Sequence, residues 1–376
     1  MKKWKEEITL VDKDISEQRA QYFQQLQIMD YIVPVISVIV GLLVGAIFMM
    51  IIGADPIEAY KVLWNSSFGS FRGFGEMLVN AIPLIFTGLA VAFGFRIGLF
   101  NIGGDGQFLV AYLASAYIGY VIQLPMYIHL PFALLGGIVA GGIWAGFAGY
   151  LKAKLGVHEV ITTIMMNYIA LYFVGYLAGG PLKAGGASGF IPATPKIFDT
   201  AKLPRFAPTM RIHYGIFIAL AAAVFIYWLL FKTTFGYEIR ATGQNSDAAE
   251  FGGINVLRNM VLVMFISGAL AGLAGTSQAL GLEYRAYQPF GFIGYGFTGI
   301  AVALVGKSHP YGVVLAAFLF AVLSRGAMMM QSMVGVPKEV IEIIQGIIII
   351  FVASEYIFKY LYRKYKQRKG GIVDAS

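Results

Sequence analysis

No cysteine occurs in the 376 residues, so disulfides, thiolate catalysis and cysteine-based metal sites are excluded together. Histidine is nearly as scarce. The four, His129, His158, His213 and His309, stand singly beside predicted span ends, without the clustering of a metal centre or a nucleophile's dyad. Charge is also short: 13% of residues are Asp, Glu, Lys or Arg against 58% hydrophobic, and mean hydropathy is +0.71. That balance lies far outside the soluble range and defines an integral membrane protein. A Gly-x-x-x-x-Gly-Lys-Ser/Thr loop is missing as well, so the chain has no P-loop for ATP.

What is abundant is long apolar sequence. Runs at 32–53, 77–95, 107–123, 131–151, 160–179, 213–231, 259–280, 292–306, 311–333 and 340–358 each approach the ~20 residues a helix needs to cross hydrocarbon. None alternates apolar and polar residues as a β-barrel strand would. The expected fold is all-α, a polytopic bundle of about ten transmembrane helices. Residues 1–30 mix charges of both signs and lack a basic n-region with a small-residue cleavage site, so the first span is expected to stay as an anchor. The membrane part is read as 31–358, with a basic tail at 359–376.

The net charge of +8 does not point to nucleic acid, because the basic residues gather beside spans, as in "KYLYRKYKQRK" at 359–369. Such flanks face the cytoplasm. Ten spans then put both termini inside, with Arg96, Lys152, Lys154, Lys232, Arg240, Arg258 and Lys307 on the same side. The 181–212 loop, with Lys183, Lys196, Lys202, Arg205 and Arg211, is counted outside despite its charge.

The order of features repeats. "VHEVITTIMM" at 157–166 parallels "PKEVIEIIQG" at 337–346, each following a glycine- and alanine-rich span and, before that, a glycine-interrupted segment, 100–107 or 288–299. Counting spans makes the two copies inverted, an arrangement found in transporters with the pathway between halves.

Two polar segments interrupt this pattern. In "LFNIGGDGQFLVA", residues 99–111, Gly103 and Gly104 would end one helix and Asp105 cap the next; alternatively Asn101, Asp105 and Gln107 would face a water-filled passage at a broken helix. The second segment, 232–258, holds a short helix signal: Ser246 or Asp247 as N-cap, Ala248, Ala249 and Glu250 as helix formers, and Gly252 and Gly253 as a stop. Its alanines would present a smooth face to a groove on another protein.

"RATGQNSDAAEFGGINV" resembles the coupling loop of binding-protein-dependent ABC importer permeases. "FRIGLFNIGGDGQ", "HEVITTIMMNYIA" and "ALVGKSHPYG" resemble the nucleoside-uptake branch of that family, whose ribose-importing relatives carry a Gly-Gly-Ile-Asp-Leu-Ser type motif instead. The resemblance spans about residues 30–358. It implies a pore-forming subunit without cofactor or metal, paired with a second permease, driven by a cytoplasmic ATPase and fed by an extracytoplasmic substrate-binding lipoprotein. On the coupling loop it singles out Gly243, Asn245, Ser246, Asp247, Ala248, Ala249 and Gly253 as the ATPase contact.

An ion-gradient transporter is the alternative, although Asp105, Glu159, Glu339 and Glu342 fall near span ends rather than mid-membrane. Arg325 lies deeper and reads as a snorkelling or helix-paired arginine. A nucleoside is flat, neutral and polar-edged, so a transient site needs aromatic faces and amide or carboxylate acceptors; stacking on one ring is worth ~1–3 kcal/mol. The candidates are Phe100, Asn101, Asp105, Gln107, Asn167, Gln278, Glu283, Tyr284 and Tyr287.

Overall fold

The computed structural model describes residues 32–185, 191–206 and 210–354, with Tyr360 and Lys364. Segment 1–30 and the rest of the tail lie outside them. Among the described residues there is no strand, only helices and loops. Seven helices are long and apolar enough to cross a membrane: α1 (Ile32–Ile51), α3 (Phe71–Phe95), α5 (Met126–Leu155), α6 (Glu159–Gly179), α7 (Gly215–Lys232), α10 (Val256–Gln278, continued by a π turn, Ala279–Glu283) and α12 (Pro310–Val334). The others are α2 (Pro56–Phe68), α4 (Gly104–Val121), α8 (Thr234–Gln244), α9 (Ser246–Phe251), α11 (Tyr295–Val305) and α13 (Glu339–Ala353).

Three of the ten expected runs are not among these seven. The run at 107–123 is α4, whose first turn is spent on Asp105 and Gln107, which lowers its apolar character. The run at 292–306 yields an 11-residue helix of ~16 Å, about half a bilayer core, because the glycine-rich stretch before it does not enter helix until Gly294, at φ +87°. The run at 340–358 is helical over 15 residues, Glu339–Ala353, and its remainder beyond Ser354 lies outside the described residues.

The chain divides into two units. In the unit of residues 1–56 and 338–376, α1 meets α13 at Gly41, where a Cβ would lie 3.2 Å from the Ile344 carbonyl oxygen. In the unit of residues 57–337, α3 is the central rod, apolar all round and buried along most of its length by α7, α10, α11 and α12. α5 packs along α10 through small residues at four-residue spacing, Gly137, Gly141 and Ala145 against Gly268, Gly272 and Thr276. A Cβ on Gly141 would lie 2.9 Å from the Gly272 Cα. Small residues let backbones approach where lipid supplies no hydrophobic drive. The outward faces of α5, α6 and α7 carry exposed Ile143, Phe147, Ile161, Tyr172, Phe217 and Trp228, as lipid-facing surfaces should.

Candidate functional site

Asn101 and Gln107 form a reciprocal amide pair. Asn101 Nδ2 donates to Gln107 Oε1 (3.0 Å) and to Ser267 Oγ (2.8 Å); its Oδ1 accepts from Gln107 Nε2 (2.8 Å) and from the Gly103 N–H (3.0 Å). Both donors and both acceptor positions of Asn101 are filled. Ser267 passes the connection to the Ala90 carbonyl of α3, so the knot ties α3, α4 and α10 together. From α6, Asn167 accepts from the Gly106 N–H (2.8 Å) and donates to the Ile102 carbonyl (3.0 Å). All three amides are about 1% exposed. Phe100 packs its ring on Phe95, 4.8 Å away, at the edge of this knot.

Asp105 does not cap α4, whose N-cap is Gly103 without a side-chain bond. Its carboxylate accepts instead from the Gly296 N–H (3.1 Å) in the first turn of α11, 191 residues on. The reason is backbone proximity: Gly104 and Gly296 cross with no room between them, and a Cβ on Gly104 would sit 2.9 Å from the Gly296 Cα. Two helix N-termini meet there, and the carboxylate between them offsets the two partial positive charges.

The other candidates assemble ~10 Å further along α4, seven residues from Asp105. The π turn at the end of α10 carries Glu283 out of the helix, and Tyr284 closes it at φ +58°. Such π turns recur at functional sites. Glu283 accepts from the Tyr112 hydroxyl on Oε2 and from Gln278 Nε2 (2.7 Å) on Oε1; the Tyr112 oxygen accepts in turn from the Tyr287 N–H (2.9 Å). A carboxylate offers about four acceptor sites, of which these bonds occupy two. Phe108 stacks on Tyr112 (6.1 Å) and meets Tyr295 (5.6 Å), with Phe108 and Tyr112 buried, while the Tyr287 ring beside the half-buried acid is exposed.

A long loop straps this cluster. The Thr194, Ile197 and Leu203 N–H groups donate to the Ala286, Tyr284 and Leu280 carbonyls, all at 2.9 Å. Lys202 and Arg205 lie over the Tyr284 ring at 4.8 and 5.0 Å. Lys202 also pairs with Asp199 and holds that exposed carboxyl below its ordinary range. Behind the π turn, buried His213 accepts from the Gly215 N–H (3.1 Å) on Nδ1 and lies against Gly281; burial, then Arg205, pushes its pKa down to about 4.

At the other end of α10 sits the hairpin of α8 and α9. The N-cap of α9 is Asn245, which accepts from the Ala248 N–H (3.0 Å), rather than Ser246 or Asp247. Asn accepts as well as Ser or Asp, and its position places the N–H three residues on. Gly253 ends the element at φ +85°. Of the two alanines only Ala248 faces outward; Ala249 is buried against its own chain, and Phe251 is 94% exposed. Gly243 abuts the Arg96–Ile97 turn, where a Cβ would lie 3.2 Å from the Ile97 Cα, and Asn259 of α10 donates to Glu238 of α8 (2.9 Å). Burial and Arg240 lower the pKa of Arg96, which donates to the Ser308 carbonyl (2.7 Å).

Tyr112, Phe108 and Tyr295 escaped the sequence reading. With 29 phenylalanines and 22 tyrosines, no single ring stands out. The half-length helix, the buried polar knot and the polar hairpin at one end together belong to a multi-pass membrane bundle. Residues 73–353 match the family described as branched-chain amino acid transport system / permease component, and the chain belongs to that family. It is 44% identical to the guanosine ABC transporter permease protein NupP of Bacillus subtilis, over 90% of this chain and 97% of the relative. It is 35% identical to the glucose ABC transporter permease protein TsgB13 of Haloferax volcanii, over 88% of each. Identity is also 35% to the nucleoside ABC transporter permease protein NupB of Lactococcus lactis, over 90% of this chain and 94% of the relative. No solved structure matches the chain.

Proposed function

We propose that the chain is the pore-forming subunit of an ATP-driven importer of nucleosides, guanosine being the first substrate to test. The observation that carries the reading is Glu283, held at the end of a π turn by Tyr112 and Gln278 with the exposed Tyr287 beside it. A carboxylate with spare acceptor sites suits ribose hydroxyls, and the exposed Tyr287 ring suits a base. Gln278, Glu283, Tyr284 and Tyr287 then line the pathway, whereas Phe100, Asn101, Asp105, Gln107 and Asn167 frame it. The relatives named for guanosine and nucleosides support this substrate class; the glucose relative favours a sugar as the second reading.

The partners in this reading are a cytoplasmic ATPase, a second permease subunit and an extracytoplasmic binding lipoprotein. Residues 243–253 dock on the ATPase, with Ala248 and Phe251 outermost. Movement there reaches the Arg96–Ile97 turn through Gly243 and α10 through Glu238 and Asn259. Both termini and this hairpin are cytoplasmic in the same reading, and α4, α11 and α13 complete about ten membrane segments in two inverted repeats. The repeats are supported by Glu159 and Glu339, each the first residue of its helix.

Uptake of labelled guanosine and glucose by vesicles containing the whole assembly, with ATP or a proton or sodium gradient, tests the proposal. The expected result is guanosine uptake that requires internal ATP and withstands excess glucose. Uptake by the chain alone on an ion gradient would overturn it.

A further inference from the structure

Three arginines gather around one carboxylate at the start of α3. Glu76 Oε2 lies 3.4 Å from Arg211 Nη1 and 4.0 Å from Arg325 Nη1, while Arg72, one turn before Glu76, stands close enough to repel Arg325. Three positive charges against one negative leave an excess of two. Arg325 is further fixed by its Nε bond to the Ser66 carbonyl (2.9 Å). An uncompensated cationic cluster on an apolar bundle is costly unless an anion meets it.

Next to the cluster runs a groove of about 460 Å³ with almost purely apolar walls, among them Trp64, Phe68, Phe74, Met77, Phe318 and Val322. Phe318, Val322 and Arg325 follow one another at spacings of four and three along α12, so one helix face leads from the groove to the arginines. The Trp64 and Phe68 rings lie 4.5 Å apart; Trp64 is 61% exposed and Phe71 76% exposed. Exposed aromatics of this kind mark headgroup depth.

We propose that the groove and its arginine rim bind one anionic phospholipid, with an acyl chain along the apolar wall and the phosphodiester against Arg72 and Arg211, backed by Arg325. Arg211 keeps 53% of its side chain accessible for the contact. A zwitterionic headgroup would bring its own cation to a cluster already in excess, and a free phosphate would leave the groove unfilled. The proposed site uses neither Glu283 nor the α8–α9 hairpin, and it does not depend on which solute is carried.

The test uses the full chain, delipidated in detergent, with thermal unfolding and native mass spectrometry after adding phosphatidylglycerol, phosphatidylcholine or inorganic phosphate. Phosphatidylglycerol alone should raise the midpoint and remain bound. Arg72→Gln and Arg211→Gln should each weaken its retention about fivefold. Val322→Trp, which fills the groove without touching charge, should abolish it; if that variant does not fold, the arginine variants decide. Equal effects of the two lipids, stabilisation by phosphate as strong as by phosphatidylglycerol, or unchanged retention in both arginine variants would overturn the proposal.

Discussion

The Asn101–Gln107 knot and the Glu283 cluster are both polar groups inside an apolar bundle, and they differ in how much bonding capacity is left over. Asn101 has spent its donors and acceptors within the chain and is 1% exposed. Glu283 is half-buried and holds two defined bonds. Saturated polar groups hold helices in register, whereas groups with capacity to spare can exchange a bond for a passing solute. A site that must also release its solute belongs with the second kind.

Breaking the first kind should have the larger effect on stability. Gly296→Val comes first: even a Cβ there would lie 2.8 Å from the Gly104 carbonyl carbon and against the Asp105 backbone nitrogen, so no folded protein should be recovered by size-exclusion chromatography. Asn101→Leu follows. It leaves Gln107, Ser267 and the Gly103 N–H short of partners, and at ~1–3 kcal/mol for each buried orphan the loss should reach about 3 kcal/mol in denaturation experiments.

Acid should act on the second region. His213 is neutral in the folded chain, with a pKa of about 4 against an ordinary 6.5, so the unfolded chain binds more protons between those values. Stability is therefore fully present above pH 6.5 and falls as pH drops towards 4, by about 3 kcal/mol. Protonation of Nδ1 also removes the acceptor for the Gly215 N–H. Thermal midpoints measured across that range should decline, and His213→Gln should flatten the decline.

The smallest stability effect belongs to the hairpin. Phe251→Ala removes a ring that is 94% exposed, so stability should stay within ~0.5 kcal/mol while ATP-driven uptake by the assembly falls. Uptake at the parental rate would remove Phe251 from the docking surface.

Much of this was legible from local pattern. The seven long helices follow from apolar length, and the Gly252–Gly253 stop of α9 from glycine's access to positive φ. The amides of the knot were visible as a cluster because Asn101 and Gln107 are six residues apart. What stayed hidden depends on distant partners: Asp105 bonds Gly296 at 191 residues and Tyr112 bonds Glu283 at 171. The inward turn of Ala249 was hidden too, since an alanine pair reads the same whichever face packs. Apolar composition likewise could not separate the half-length α11 from a full span, because Phe and Gly score as membrane sequence whether or not the backbone is helical.

The central claim is that Glu283, and not the amide knot, meets the solute. Its most direct test is ATP-driven guanosine uptake by Glu283→Gln, expressed per folded transporter. The substitution keeps the shape and removes the charge, so the thermal midpoint should stay within about 4 °C of the parental value. Uptake should fall at least about tenfold, equivalent to ~1.4 kcal/mol. Parental uptake by a folded Glu283→Gln protein would contradict the account.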